Sequence, residues 1–350
     1  MPHAVTTAIL IVLGSVAALG GEWLGLPLPY LIGPLVLSGL ITTILPRRLP
    51  DAYHFPYWLR LIFIAVIGVM IGARITPELF ALTPARIAGL TAIAIFVPLA
   101  HAYSYAIFRK LGRYDHVTSF YAGAPGGLYE SLALGEEMGA DMARLTLQQF
   151  LRLILVVTAL PFGISLWVGS PVGSAGGMTM AEANIALTDL PPTIAVIAAG
   201  LLAGLYIPLP AKQLTAPLVL AAIVTLTGLV DLNLPQWLIN VAQIVIGTAL
   251  GSQFAGLNRR QLQKGILLSL VSVGGMLIMA AGFASALHHY TGQPFDALFI
   301  SFSPGGVTEM ALVALSLNAS PTLVTLHHVW RILLTVIGLS ISARMMRRQL

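Results

Sequence analysis

Two glutamates and two arginines in an otherwise apolar chain are the residues best suited to do chemistry. Glu130 follows the run Pro125-Gly126-Gly127, and Glu309 follows Pro304-Gly305-Gly306 179 positions later. Arg152 and Arg331 stand at the same separation. A carboxylate at membrane depth is costly unless it is paired, hydrated or protonated. Each Glu therefore reads in one of two ways: as a site for H+, Na+ or a cationic solute, or as the structural partner of an Arg. Each Arg reads as that partner or as the ligand of a substrate carboxylate or other oxyanion. Two Glu and two Arg at similar depth sum to zero charge, which tolerated burial requires. Backbone N–H groups opening the helix after Gly127 or Gly306 would assist an anion there.

Other polar residues gather around these four. Gln148 and Gln149 precede Arg152 by four and three positions, and His327 and His328 precede Arg331 likewise. On a helix that spacing puts part of each pair on the Arg face. These residues read as cavity lining or as polar helix–helix contacts. Ser301 and Ser303 offer hydroxyls to an ion, or bond back to their own helix. Redox chemistry is disfavoured. The chain has no Cys, its His288-His289 and His327-His328 pairs are adjacent, and it has no His-x-x-x-His or Glu-x-x-His spacing. No P-loop occurs either. The reading is of a non-enzyme without a cofactor, its one candidate metal a Na+ near Glu130 and Glu309.

Composition says what must position these groups. Of 350 residues, 57% are hydrophobic and 9% charged, against roughly 25% charged in soluble proteins. Mean hydropathy is +0.89. Long apolar runs predict an all-α polytopic membrane protein in contact with lipid. The net charge of +5 fits inner-side Lys and Arg loops rather than nucleic-acid binding. Residues 4–20 lack the basic start of a signal peptide and read as a first membrane helix.

The chain is duplicated. The same offset of 179 maps Pro56 onto Pro235, Trp58 onto Trp237, Gly68 onto Gly247 and Gly72 onto Gly251. One repeat occupies 1–167, a linker 168–190, and the second repeat 191–350. Each half predicts helices near 4–21, 55–73, 84–108 and 142–166 or their counterparts, and a second helix containing Pro34 or Pro217. Between the fourth helix and the last lies an interrupted element, 116–138 and 295–317. Proline removes a backbone donor and each glycine costs roughly 1 kcal/mol in a helix, so Pro-Gly-Gly breaks it. Arms of about ten residues, or about 15 Å, reach half the hydrocarbon thickness.

That element is either a re-entrant hairpin or a broken crossing helix. With five crossings and one hairpin per half, the flanking Lys and Arg, from Arg47 and Arg48 to Arg347 and Arg348, fall on the inner side, with Arg74 and Arg86 outside. With about twelve crossings they divide almost evenly. The positive-inside rule favours the hairpin, and an odd number of crossings inverts the second half. Inverted repeats with broken helices at the midplane are typical of secondary transporters.

The motifs Gly123-Ala124-Pro125-Gly126-Gly127 and Ser303-Pro304-Gly305-Gly306, with Gly139-Ala140-Asp141, Gln148-Gln149 and the downstream Arg152 and Arg331, resemble the bacterial AbrB membrane family. The resemblance covers essentially the whole chain. It implies a multi-pass protein of the bacterial inner membrane. The family carries two labels, a regulator of gene expression and an ammonia monooxygenase, and is unrelated to the small DNA-binding regulator of the same name. His327-His328 stands where the first half has Gln148-Gln149, so the two sites need not play equal roles. The expected function is secondary transport of a small solute, an organic anion among the candidates, coupled to H+ or Na+. The alternative is a membrane sensor or regulator, and a membrane oxygenase comes last. Small residues would also permit a homo-oligomer.

Overall fold

The computed structural model describes residues 3–26, 28–50, 53–77, 81, 83–169, 190–207, 212–230, 232–253, 259–317 and 319–347, and the regular elements among them are all helical. In chain order they are α1 (His3–Trp23), α2 (Pro29–Ile44), α3 (Tyr57–Gly72), α4 (Pro84–Ala106), α5 (His116–Ala122), α6 (Leu128–Glu137) and α7 (Met142–Val168). The second half repeats the series as α8 (Leu190–Tyr206), α9 (Lys212–Leu226), α10 (Gln236–Ser252), α11 (Arg259–Thr291), α12 (Phe295–Phe302), α13 (Val307–Ser316) and α14 (Pro321–Arg347).

Five of these helices are long and apolar enough to cross a membrane: His3–Trp23, Pro84–Leu111, Met142–Leu166, Leu262–Thr291 and Pro321–Met345. The chain is thus an all-α polytopic membrane protein. Further apolar helices, such as α2, α3, α8 and α9, have 15 to 17 residues. At 1.5 Å per residue they run about 22–26 Å, somewhat less than the roughly 30 Å hydrocarbon layer. Pro-Gly-Gly breaks both interrupted elements. Their first arms, α5 and α12, have seven and eight residues, shorter than the ten expected, and their second arms have ten each.

The chain divides into two compact units. One comprises Met1–Ala81, Thr158–Leu257 and Ala311–Thr322, the other Leu82–Val157, Asn258–Met310 and Leu323–Leu350. Each draws on both sequence halves, so compactness and repetition divide the chain differently. Of the expected linker at 168–190, only Val168, Gly169 and Leu190 are among the described residues.

In the first unit α1 packs on α2 and α8 on α9, while α2 packs on α10 and α9 on α3. The third helix of each half therefore lies on the second helix of the other. Glycine makes this possible. A Cβ on Gly68 or Gly72 would overlap the carbonyl oxygen of Leu214 or Leu218, and one on Gly247 or Gly251 that of Leu31 or Leu35. Small residues let apolar helices approach backbone to backbone, where van der Waals contact replaces the absent hydrophobic drive. Ser38 Oγ also donates to Thr248 O at 3.2 Å across the α2–α10 contact.

The second unit carries the interrupted elements. Phe108, Tyr114, Tyr121, Leu145, Leu268 and Leu339 form a buried cluster beside the first. Phe96, Phe283 and Phe302 meet ring to ring at 5.4–5.6 Å and anchor the end of α12.

Candidate functional site

The site is built from two helix breaks and the two long helices that cap them. Gly123 ends α5, Pro125 supplies no backbone donor, and Gly127 opens α6 with a positive φ of 61°. That conformation favours glycine because a Cβ would crowd the following carbonyl. In the second break Ser303 is extended (φ −62°, ψ 136°), as the proline after it demands. At Gly306 a Cβ would meet the carboxylate of Glu309, the movable end of a side chain. Pro125, Gly126, Gly127, Pro304 and Gly305 are buried, and Gly306 is partly so.

The arms of the first break lie side by side. Ser131 Oγ on α6 donates to Tyr121 O on α5, and a Cβ on Gly135 would come 3.4 Å from Tyr121 Cβ. A straight helix would hold residues 121 and 135 about 21 Å apart.

The carbonyl groups at the end of each first arm accept from the last helix of their own half. Arg152 Nη1 donates to Ala124 O, and Arg331 Nη1 to Ser303 O, the counterpart of Ala124. Arg331 Nη2 also donates to Gly305 O at 2.6 Å. Gln149 Nε2 donates to Tyr121 O at 2.8 Å, and His328 Nε2 to the matching Ile300 O at 3.0 Å. A cation at the negative end of a half-helix is favourable, and charge-assisted hydrogen bonds are the strong ones. The repeat thus conserves an interaction although Gln has become His.

The other member of each pair turns elsewhere, as the 100° step between neighbours on a helix requires. Gln148 Nε2 donates to Tyr114 OH at 2.9 Å, and its Oε1 accepts from Ser269 Oγ on α11. His327 stands against Gly89 on α4, where a Cβ would lie 2.9 Å from its Nε2. Ser301 and Ser303 bond back to Ala297 O and Phe299 O at 2.8 and 2.7 Å, which restrains both hydroxyls.

The two glutamates differ. Glu309 is buried, at 4% exposure, whereas Glu130 is half-buried. Both sit in the first turn of a second arm, near the tip glycines Gly127 and Gly306, where a helix start favours negative charge. Their own carboxylates thus occupy the ends at which an external anion was expected. Glu309 acts electrostatically on Arg152, the arginine of the opposite half. Arg331 is opposed by Arg152 itself. Gly126 lies near Arg331 and Thr335 on α14, and Gly306 near Leu153 on α7. Both tips, both arginines and Glu309 thus belong to one buried region, in which Glu309 acts on Arg152 and Arg152 on Arg331. Among the described residues, the Nε donors of Arg152 and Arg331 have no acceptor.

Several participants escape a reading of the sequence. Ala124 and Tyr121 contribute only carbonyls, and Ser269 and Gly89 lie more than a hundred residues from their partners. Thr335, four positions after Arg331, was the most legible of them through helical spacing. Among the described residues no group of three His, Asp or Glu stands close enough to hold a metal ion.

The family model described as "Transition state regulatory protein AbrB" matches residues 40–347. Over 349 residues the chain is 27% identical to "Uncharacterized protein YhjN" of Bacillus subtilis (strain 168), covering 92% of this chain and 89% of that one. Over 318 residues it is 23% identical to "Putative regulator AbrB" of Escherichia coli (strain K12), covering 90% of this chain and 89% of that one. With most of its length matched by that model, the chain belongs to the AbrB family.

Proposed function

We propose that the chain is a secondary transporter of a small organic anion in the bacterial inner membrane, built from two inverted repeats with re-entrant Pro-Gly-Gly hairpins. The observation that carries the reading is the pair of buried guanidiniums, Arg152 and Arg331, which oppose each other, have Glu309 acting on one of them, and hold Nε donors with no acceptor among the described residues. A carboxylate or other oxyanion entering between the guanidiniums completes the balance. It competes with Glu309 for Arg152. A Glu309 carboxylate released from that contact is costly in a low dielectric unless it gains H+ or Na+. Competition for one guanidinium is thus a means of coupling anion to cation. Glu130, more accessible, is a second place for the cation. The folded-back arms of the first break support the hairpin, and the exchanged packing of second and third helices is what a duplicated, interlocked scaffold would use.

The test is a ligand screen by thermal shift on detergent-purified protein. Organic anions, amines and ammonium are compared in Na+ and K+ at two pH values, with Glu130→Gln and Glu309→Gln alongside. An anion-specific shift that depends on ion or pH, and loses that dependence in Glu309→Gln, supports the proposal. Equal responses of wild type and both variants to every solute would sink it.

The names borne by the family and by the Escherichia coli relative favour a second reading, a membrane sensor acting on gene expression through a partner. It uses the same site but predicts ligand binding without flux, so uptake into proteoliposomes separates the two.

A further inference from the structure

A separate cavity of about 490 Å3 lies between α4, α5 and α14, within the size range of small-molecule sites. Of its lining residues only Thr335 also stands beside the arginine–glutamate site, near Gly126. No Asp, Glu, Lys or Arg is among them, so a charged solute would enter without a counter-charge, at high cost. Val97, Pro98, Leu334 and Gly338 supply an apolar wall.

The polar groups are specific in what they offer. His101 Nε2 lies 2.8 Å from Phe120 O. A carbonyl only accepts, so Nε2 carries the proton and Nδ1 keeps a lone pair. Pro98 has no N–H for Ala94 O, the acceptor one turn back, and both residues line the cavity. Tyr105 OH lies 2.9 Å from Nδ1 of His116. With the phenol donating, the His116 Nε2–H remains as a donor. The lining therefore includes acceptors at His101 and Ala94, a donor at His116, the hydroxyls of Thr335 (donating to Arg331 O) and Ser342, and no net charge.

We propose that this cavity binds an uncharged amphipathic solute bearing one hydroxyl, of the alcohol or phenol class. The apolar body lies along α4 and α14. The hydroxyl donates to His101 or Ala94 and accepts from His116. The site does not depend on transport, and its test reads binding rather than flux.

The probe is para-(hydroxymethyl)benzophenone, a photoreactive neutral alcohol, applied to the full chain in lipid nanodiscs. Its adducts are mapped by peptide mass spectrometry. Hydroxyl-free benzophenone and anionic para-benzoylbenzoate are the comparisons. Saturable labelling confined to residues 94–105, 116–120 and 334–342 is expected, and labelling by either comparison about tenfold weaker. His101→Phe, which keeps a ring but removes the acceptor, reduces labelling about tenfold. Gly338→Phe abolishes it by filling the space; a Cβ at Gly338 meets nothing within 4 Å. If Gly338→Phe does not fold, His101→Phe decides. Non-saturable adducts spread over outward faces would show lipid-like partition and overturn the proposal. Equal labelling by the hydroxyl-free probe, or stronger labelling by the anion, would overturn it as well.

Discussion

Arg331 Nη2 lies 2.8 Å from Nδ1 of His328, one turn earlier on α14. A guanidinium only donates, so Nδ1 accepts and Nε2 carries the proton toward Ile300 O. One imidazole thus joins the buried arginine to the end of α12. In the first half Gln149 reaches the matching carbonyl with its amide. His328→Gln should therefore preserve most of the stability, and His328→Phe should cost about 1–3 kcal/mol by removing two buried hydrogen bonds, one at the Ile300 carbonyl and one at the Arg331 guanidinium. Thermal unfolding in mild detergent measures both. Equal losses would show that packing, not the hydrogen bond, governs this position.

Glu309 belongs to the second half yet acts on Arg152 of the first. In proteoliposomes, Glu309→Gln should leave anion binding intact and remove its dependence on the coupling cation. Arg152→Met should weaken anion binding by at least tenfold, a loss of about 1.4 kcal/mol. Coupled uptake at the wild-type level in Glu309→Gln would exclude the competition mechanism.

Backbone approach at the exchanged helix pairs predicts a sharp contrast between glycines. Gly68→Val and Gly247→Val put a side chain onto a backbone carbonyl that cannot rotate away. Each should cost about 1–3 kcal/mol or more. Gly282→Val, on α11, meets nothing within 4 Å at its Cβ and should lie within about 0.5–1 kcal/mol of wild type. Thermal unfolding ranks the three, and a large loss in Gly282→Val alone would invert the expected order.

Asp115 caps α5, accepting from the Thr118 backbone N–H at 2.8 Å. Burial pushes its carboxyl up, but hydrogen bonds from Thr118 and neighbouring backbone groups outweigh this and hold it below the ordinary carboxylate range. A depressed folded pKa contributes stability above the unfolded value, and that contribution is lost as pH falls through the folded value. Asp115→Ala should cost about 1 kcal/mol at neutral pH. Its difference from wild type should shrink below about pH 4. A constant difference down to pH 3 would assign the cost to something other than the charged cap.

Much of the architecture was legible along the chain. The apolar runs, the duplication and the Pro-Gly-Gly breaks are local properties: hydropathy sets which segments seek lipid, and a missing N–H ends a helix wherever it occurs. Glu130, Arg152, Glu309 and Arg331 were visible because a charge in an apolar run is conspicuous. What they touch was not. Arg152 and Arg331 were equivalent in the sequence, yet only Arg152 is acted on by Glu309, and Glu130 remains half-buried. Gln149 and His328 turned toward carbonyls and Gln148 and His327 toward other helices, since a 100° step separates neighbours without saying what each will face. The exchange of α2 and α9 between the halves, and the cavity beside His101, arise from contacts between residues far apart in the chain. The sequence determined the helices, their breaks and the few charges among them. Tertiary structure decided which carbonyl, carboxylate or glycine each side chain meets, because helix–helix packing in an apolar medium depends on close steric fit that no local pattern encodes.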